Sequence, residues 1–166
     1  MAEVRNVLFL CTGNTTRSIM AEAILNHDGG GRFCAFSAGS HPKGVVHPRS
    51  LERLAAEGIP IDGLRSKSWD EFAGADAPAM DLVVTVSNSA ASETCPVWPG
   101  APLSVHWAIT DPTEFGPSSQ REAFAIGFKA LRARIGAFLS LPIESLDSPD
   151  LKARLQAIGK MEQPAG

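Results

Sequence analysis

The stretch NVLFLCTGNTTRSIMAEAIL, Asn6 to Leu25, decides how the chain is read. An aliphatic run, Val4 to Leu10, stops at Cys11, and a loop of small residues, Thr12 to Thr16, leads to Arg17, Ser18 and an apolar segment. A continuous aliphatic run is what a strand buried on both faces of a parallel sheet requires, because both of its side-chain rows meet other layers. Ser18 to Asn26 predicts a helix with Ile19 and Ala23 on one face, closed by Gly29 to Gly31. Strand, tight loop and helix in that order make the unit at whose carboxyl end open α/β sheets place their ligands.

The same alternation continues along the chain. Arg32 to Ala38 reads as a second strand, and HPRSLERLAAEG, His47 to Gly58, as a helix with Pro48 at its start and Gly58 at its end. Asp81 to Val86 and Pro102 to Val105 read as two further strands. Between Ser118 and Pro142, Phe124, Phe128, Leu131, Ile135 and Phe138 recur at the spacing of a long amphipathic helix. Pro149 to Lys160 predicts a short last helix, followed by a tail expected to fray. No repeat, low-complexity tract or linker interrupts this pattern. The expectation is one α/β domain over residues 1–166, with its core between about 4 and 160 and helices on both faces of a parallel sheet.

Composition excludes several classes. At 166 residues, 44% hydrophobic and 20% charged, the chain is ordinary globular material rather than disordered or fibrous. A net charge of −3 without any Lys/Arg cluster leaves no electrostatic footprint for nucleic acid or an anionic membrane. The expected partner is a small molecule or another protein. No apolar run approaches the roughly 18 residues that span a bilayer, and the N-terminus lacks a secretory pattern, so a cytoplasmic location is expected. Three cysteines without a C-x-x-C pair make neither a disulfide framework nor a zinc site.

Cys11 stands where a ligand is expected. The small residues Thr12, Gly13, Asn14, Thr15 and Thr16 let backbone N–H groups turn inward around a tetrahedral oxyanion, and the helix after them points its positive end at the same place. Arg17 adds a planar fork of donors for two oxygens of such an anion. Each feature also favours a thiolate at Cys11, hence a nucleophile aimed at the atom the loop binds. Taken singly, a cysteine at a strand end is usually a buried hydrophobe and an arginine at a helix start a surface residue. Their spacing on strand, loop and helix reverses that reading.

Cys, five residues, Arg and Ser at the end of an N-terminal strand resemble the low-molecular-weight protein tyrosine phosphatase superfamily, including the arsenate reductases built on that fold. CTGNTTRSIMAEAIL, FSAGSHPKG, GLRSKSWDEF, DLVVTVSNSAASETCPVWPG and HWAITDP resemble arsenate reductase segments in the same order. The resemblance implies a four-stranded parallel sheet flanked by helices, Cys11 as nucleophile, Arg17 and the loop amides as oxyanion clamp, and Ser18 as hydroxyl donor to the thiolate. It also implies that Asp111, in TDPTEF, protonates the departing oxygen as general acid; without it, Asp-Pro reads only as a turn. Phosphatases usually follow this Asp-Pro with aromatic residues, whereas Thr113 and Glu114 follow here and the chain has no tyrosine, which favours a small inorganic anion such as arsenate.

Reduction of arsenic(V) takes two electrons, so a second thiol must attack the Cys11 adduct. In thioredoxin-coupled relatives a second and third cysteine follow the third strand. Here the third matches Cys95, but the second position holds Ser87, which cannot perform thiol–disulfide exchange. Direct attack by Cys95, resolution by an external thiol (thioredoxin, or glutathione with glutaredoxin), an introduced Cys-to-Ser replacement, and loss of the reductase cycle all stay open. The retained Cys95 segment favours the first three. No bound cofactor and no metal site of His or Cys ligands is expected; a cation near Asn14, which the resemblance allows, stays open. Cys34 and the histidines His41, His47 and His106 read as structural or solvent-facing, and Trp98 and Trp107 as packing. Asn14 reads as the loop-shaping residue, since Asn tolerates left-handed backbone. The rival enzyme reading is a phosphatase acting through a phosphocysteine; the non-enzymatic one is an oxyanion-binding protein.

Overall fold

The computed structural model describes residues 4–74, 76–87, 98, 102–107, 109–141 and 149–160. Four strands form one parallel sheet: β1 (Arg5–Cys11), β2 (Phe33–Gly39), β3 (Leu82–Thr85) and β4 (Leu103–His106), in the order β2-β1-β3-β4. The helices are α1 (Arg17–Asp28), α2 (Pro48–Ala56), α3 (Pro117–Leu139) and α4 (Pro149–Ile158). β1 is central because Val7 to Leu10 are apolar in both side-chain rows. Val7 and Phe9 join Met20 and Ile24 of α1 and Phe128 and Leu131 of α3 in the larger core. Leu8 and Leu10 face the other way, onto Trp69, Phe72, Met80 and Trp98. All four of these β1 side chains are within 1% of full burial, each contributing about 1.5–3 kcal/mol of apolar transfer.

The expected elements are present, with edges displaced by one to three residues. β1 runs through Cys11 and β2 through Gly39 because those two residues pair in register. Two short 3-10 helices were not anticipated: Trp69–Phe72, whose first turn is capped by Ser68 Oγ, and Pro112–Glu114, capped by Asp111. On the face of Leu8 and Leu10, the first of these supplies Trp69 and Phe72. Trp107 is fully buried and its indole N–H donates to the Leu155 carbonyl at 2.9 Å, so it is a packed and satisfied core residue.

Since all strands are parallel, their carboxyl ends, Cys11, Gly39, Thr85 and His106, share one edge of the sheet. Gly39 is required there by space: a Cβ on it would stand 2.3 Å from the Thr12 carbonyl oxygen and 3.0 Å from that of Cys11. Gly39→Ala should therefore force the loop after β1 outward. The expected result is a stability loss of about 1–3 kcal/mol by urea denaturation, as for other overpacked sites, together with slower alkylation of Cys11. Unchanged stability would show that the approach is looser than this.

Candidate active site

The loop from Thr12 to Thr16 is held from outside by its carbonyl groups. The Thr12 carbonyl accepts from His41 N–H (3.0 Å), and that of Gly13 from Lys43 N–H (3.2 Å) and Ser66 Oγ (3.1 Å). The Thr15 carbonyl accepts from His47 N–H (3.1 Å) and Ser50 Oγ (2.9 Å), and that of Thr16 from Met20 N–H (2.9 Å). In a trans peptide the C=O and the next N–H point in opposite directions. Tying these carbonyls outward thus turns the N–H groups of Gly13, Asn14, Thr16 and Arg17 toward the inside of the loop. The Asn14 N–H points at Cys11 Sγ, 3.3 Å away.

A directed chain of donors ends on the same sulfur. Lys67 N–H donates to Asn14 Oδ1 (2.9 Å), Asn14 Nδ2 donates to Ser18 Oγ (2.8 Å), and Ser18 Oγ lies 2.8 Å from Cys11 Sγ. With the Ser18 oxygen accepting from Asn14, its single proton is available to the sulfur, the geometry that stabilises a thiolate. Asn14 has φ 51°, the left-handed region that Asn tolerates better than most residues, and both Asn14 and Ser18 are fully buried.

Arg17, the first residue of α1, donates from Nη1 to the Ile109 carbonyl (2.9 Å) and holds Nη2 3.5 Å from Asp111 Oδ2. Its Nε is buried without a hydrogen-bond partner among the described residues, a donor left for a ligand. Asp111 Oδ1 accepts from the backbone and hydroxyl of Thr113 (2.9 and 2.7 Å), which fixes the carboxylate as a helix cap while Oδ2 faces Arg17. A cleft of about 530 Å³ opens over these groups. Among the described residues no three His, Cys, Asp or Glu side chains are arranged to hold a metal.

The model for the family described as low molecular weight phosphotyrosine protein phosphatase matches residues 6–148. The chain belongs to that family. It is 35% identical over 130 residues to a protein named arsenate reductase from Halalkalibacterium halodurans, covering 78% of this chain and 88% of that one. Its fold is similar to that of a Corynebacterium glutamicum thioredoxin-dependent arsenate reductase (TM-score 0.56, 28% identity, 78% of this chain). This chain spans 59% of the length of that structure. It is similar also to a low molecular weight protein tyrosine phosphatase from T. tengcongensis (TM-score 0.59, 27% identity, 80% of this chain and 95% of that one).

The structure brings together Cys11, Thr12 to Arg17, Ser18 and Asp111 in this member of the phosphatase family. Ser87 is buried at 2% exposure just beyond β3 and is not among the residues lining the cleft; Cys95 lies outside the described residues. Cys34, half-buried on β2, has its thiol pKa pushed up by burial and by the charge of Glu22, which keeps it protonated. Sequence reasoning missed the opposite wall of the cleft, made by His41, Lys43, Val45, Val46 and His47 between β2 and α2. The signal was available in principle: SHPKGVVHP follows a strand adjacent to β1 and must emerge at the same carboxyl edge. Of its two readings, structural or solvent-facing, His47 takes the structural one. Its Nδ1 accepts from Arg49 N–H (3.1 Å) to cap α2, and its ring packs on Phe124 with centroids 5.0 Å apart. Burial, with Arg49 and Lys43 nearby, lowers its pKa against the opposing pull of Asp111.

Replacing Asn14 by Ala should leave the Lys67 N–H without its acceptor and Ser18 without its donor. The expected loss is about 1–3 kcal/mol in urea denaturation, the cost of a buried unsatisfied group, and slower reaction of Cys11 with iodoacetamide at neutral pH. An unchanged alkylation rate would mean that the donor chain does not act on the sulfur.

Proposed function

We propose that the protein reduces arsenate to arsenite through a covalent Cys11–arsenate adduct. The observation that carries the reading is Cys11 Sγ at the floor of a loop whose carbonyls are tied outward, next to the unpaired Nε of Arg17. The Cys11 thiolate attacks arsenic(V), the loop amides and Arg17 hold the oxygens, and Asp111 gives its proton to the oxygen that leaves as water. A second thiolate then attacks Cys11 Sγ. The S–As bond breaks with its electron pair going to arsenic, arsenite departs as As(III), and the two sulfurs remain as a disulfide. An external thiol reduces that disulfide and closes the cycle.

Arsenate is favoured over a phosphate ester by relatives that bear the name arsenate reductase at 32–36% identity. Among the described residues, the cleft lining also contains no Phe, Tyr or Trp to receive an aryl ring. Because Ser87 carries no thiol, the resolving sulfur is Cys95 or an external one. Thioredoxin is the first donor to test, given the thioredoxin-dependent neighbour, with glutathione and glutaredoxin as the other. We place the protein in the cytoplasm as one domain over residues 1–166.

The deciding experiment follows arsenite formation with the thioredoxin system and, separately, with glutathione plus glutaredoxin, using Cys11→Ser as the blank. Multiple turnovers with either donor, abolished in the blank, are expected. The phosphatase reading, which the T. tengcongensis likeness keeps in view, predicts instead steady hydrolysis of an aryl phosphate with no arsenite from either donor.

A further inference from the structure

A buried ion pair that the proposed reaction does not use lies behind the loop, outside the cleft lining. The ammonium of Lys67, a residue 8% exposed, donates to the Arg65 carbonyl at 2.8 Å and stands 3.6 Å from Glu22 Oε1. Glu22 belongs to α1, and the same oxygen accepts a 2.6 Å hydrogen bond from Ser37 Oγ of β2, a fully buried side chain. The Lys67 backbone is tied on both sides: its N–H holds Asn14 Oδ1, and its carbonyl accepts from Gly39 N–H at 3.0 Å. The residue that carries the buried charge is thus the residue whose amide sets Asn14.

Removing an ammonium and a carboxylate from water costs several kcal/mol per ion, and a well-packed apolar pair often serves stability as well or better. Burial pushes the Glu22 pKa up and that of Lys67 down, each toward its neutral form, while their mutual attraction opposes both shifts. A pair kept under that strain has a use in geometry. Glu22 and Ser18 lie four residues apart on α1, on neighbouring turns of one face. The ammonium therefore anchors the 65–67 segment to the helix that also presents Ser18 to Cys11.

We infer that the Glu22–Lys67 pair is an internal cation clamp, with Lys67 as a positioning residue that holds Asn14 in its left-handed conformation and thereby aims Asn14 and Ser18 at Cys11. Neither residue touches the anion. The inference rests on the loop being the reactive site; it does not need arsenate to be the substrate, because alkylation of Cys11 reports on it directly.

The test compares wild type with Lys67→Ala, which keeps the backbone amide but removes the ammonium, and with Lys67→Met, which keeps the apolar stem. Iodoacetamide modification of Cys11 is followed by peptide mass spectrometry, with Cys34 as internal reference and the urea midpoint as folding check. Expected are about tenfold slower alkylation of Cys11 in both variants, as for loss of one charge-supported buried contact, and an unchanged Cys34. Ammonium or methylammonium chloride should restore much of the rate in Lys67→Ala, while choline chloride at equal ionic strength should not. Wild-type alkylation in folded Lys67→Ala, or a slow rate that no small ammonium ion raises, overturns the clamp; so does a wild-type rate in Lys67→Met, since stem packing would then suffice. If Lys67→Ala does not fold, Glu22→Gln decides, being expected to slow Cys11 while preserving the acceptor for Ser37, and a wild-type rate there is again fatal. Should wild type make no arsenite, the reduction reading fails and the alkylation result still judges the clamp.

Discussion

Turning several backbone amides toward one point forces the carbonyls of the same peptides to the opposite side, and a buried carbonyl needs a donor. Much of the architecture around Cys11 follows from that constraint. The segment after β2 lies against the loop because His41, Lys43 and His47 must bring their N–H groups to Thr12, Gly13 and Thr15. Ser50 of α2 and Ser66 add hydroxyl donors to the same set. Gly39 is bare because the Thr12 carbonyl occupies the space of a Cβ. The loop is therefore rigid before any ligand arrives, which is what an electrostatic site requires if it is to stabilise charge without reorganising.

Against this fixed frame, the Arg17–Asp111 contact is the adjustable part. At 3.5 Å, with the two side chains 14% and 28% exposed, it is a long, partly solvated ion pair, of the kind worth no more than about 1 kcal/mol. An oxyanion in the loop competes for the same guanidinium and offers two oxygens in place of one. Asp111 stays where it is when that happens, because Thr113 holds its other oxygen and Pro112 fixes the turn. The carboxyl group proposed as the acid thus keeps its place at the cleft while the guanidinium changes partner.

What the sequence revealed and what it hid divide by distance along the chain. β1, its loop and α1 were legible because apolar run, small-residue loop, Arg17 and Ser18 are contiguous and each type has a local reason for its place. The roles of Asn14 in shaping the loop and of Trp107 in packing were legible for the same reason. The cleft wall was not, since His41, Lys43 and His47 reach Cys11 only through the pairing of β2 with β1. Glu22 and Lys67 were equally hidden: an acidic residue in a helix and a lysine in a polar segment look like solvated charges until the fold buries them together. His47 has the structural use that was one of its two readings, but the particulars, one ring nitrogen capping a helix and the ring face covering Phe124, are announced by no neighbour in sequence.

The position of Ser87 bears on how a covalent intermediate at Cys11 is released. A resolving thiolate must reach Cys11 Sγ in line with the S–As bond and on the side of the sulfur away from arsenic. Ser87, buried just beyond β3 and outside the cleft lining, has no thiol to make that approach. Among the described residues the cleft is open. Its volume of about 530 Å³ falls within the range of roughly 300–1,000 Å³ that receives ligands much larger than a tetrahedral anion. With Lys43 on its far wall, it offers room beside a bound anion and a positive charge to meet it. On the proposed chemistry, the serine removes one internal route, and the sulfur that resolves the adduct must come from elsewhere.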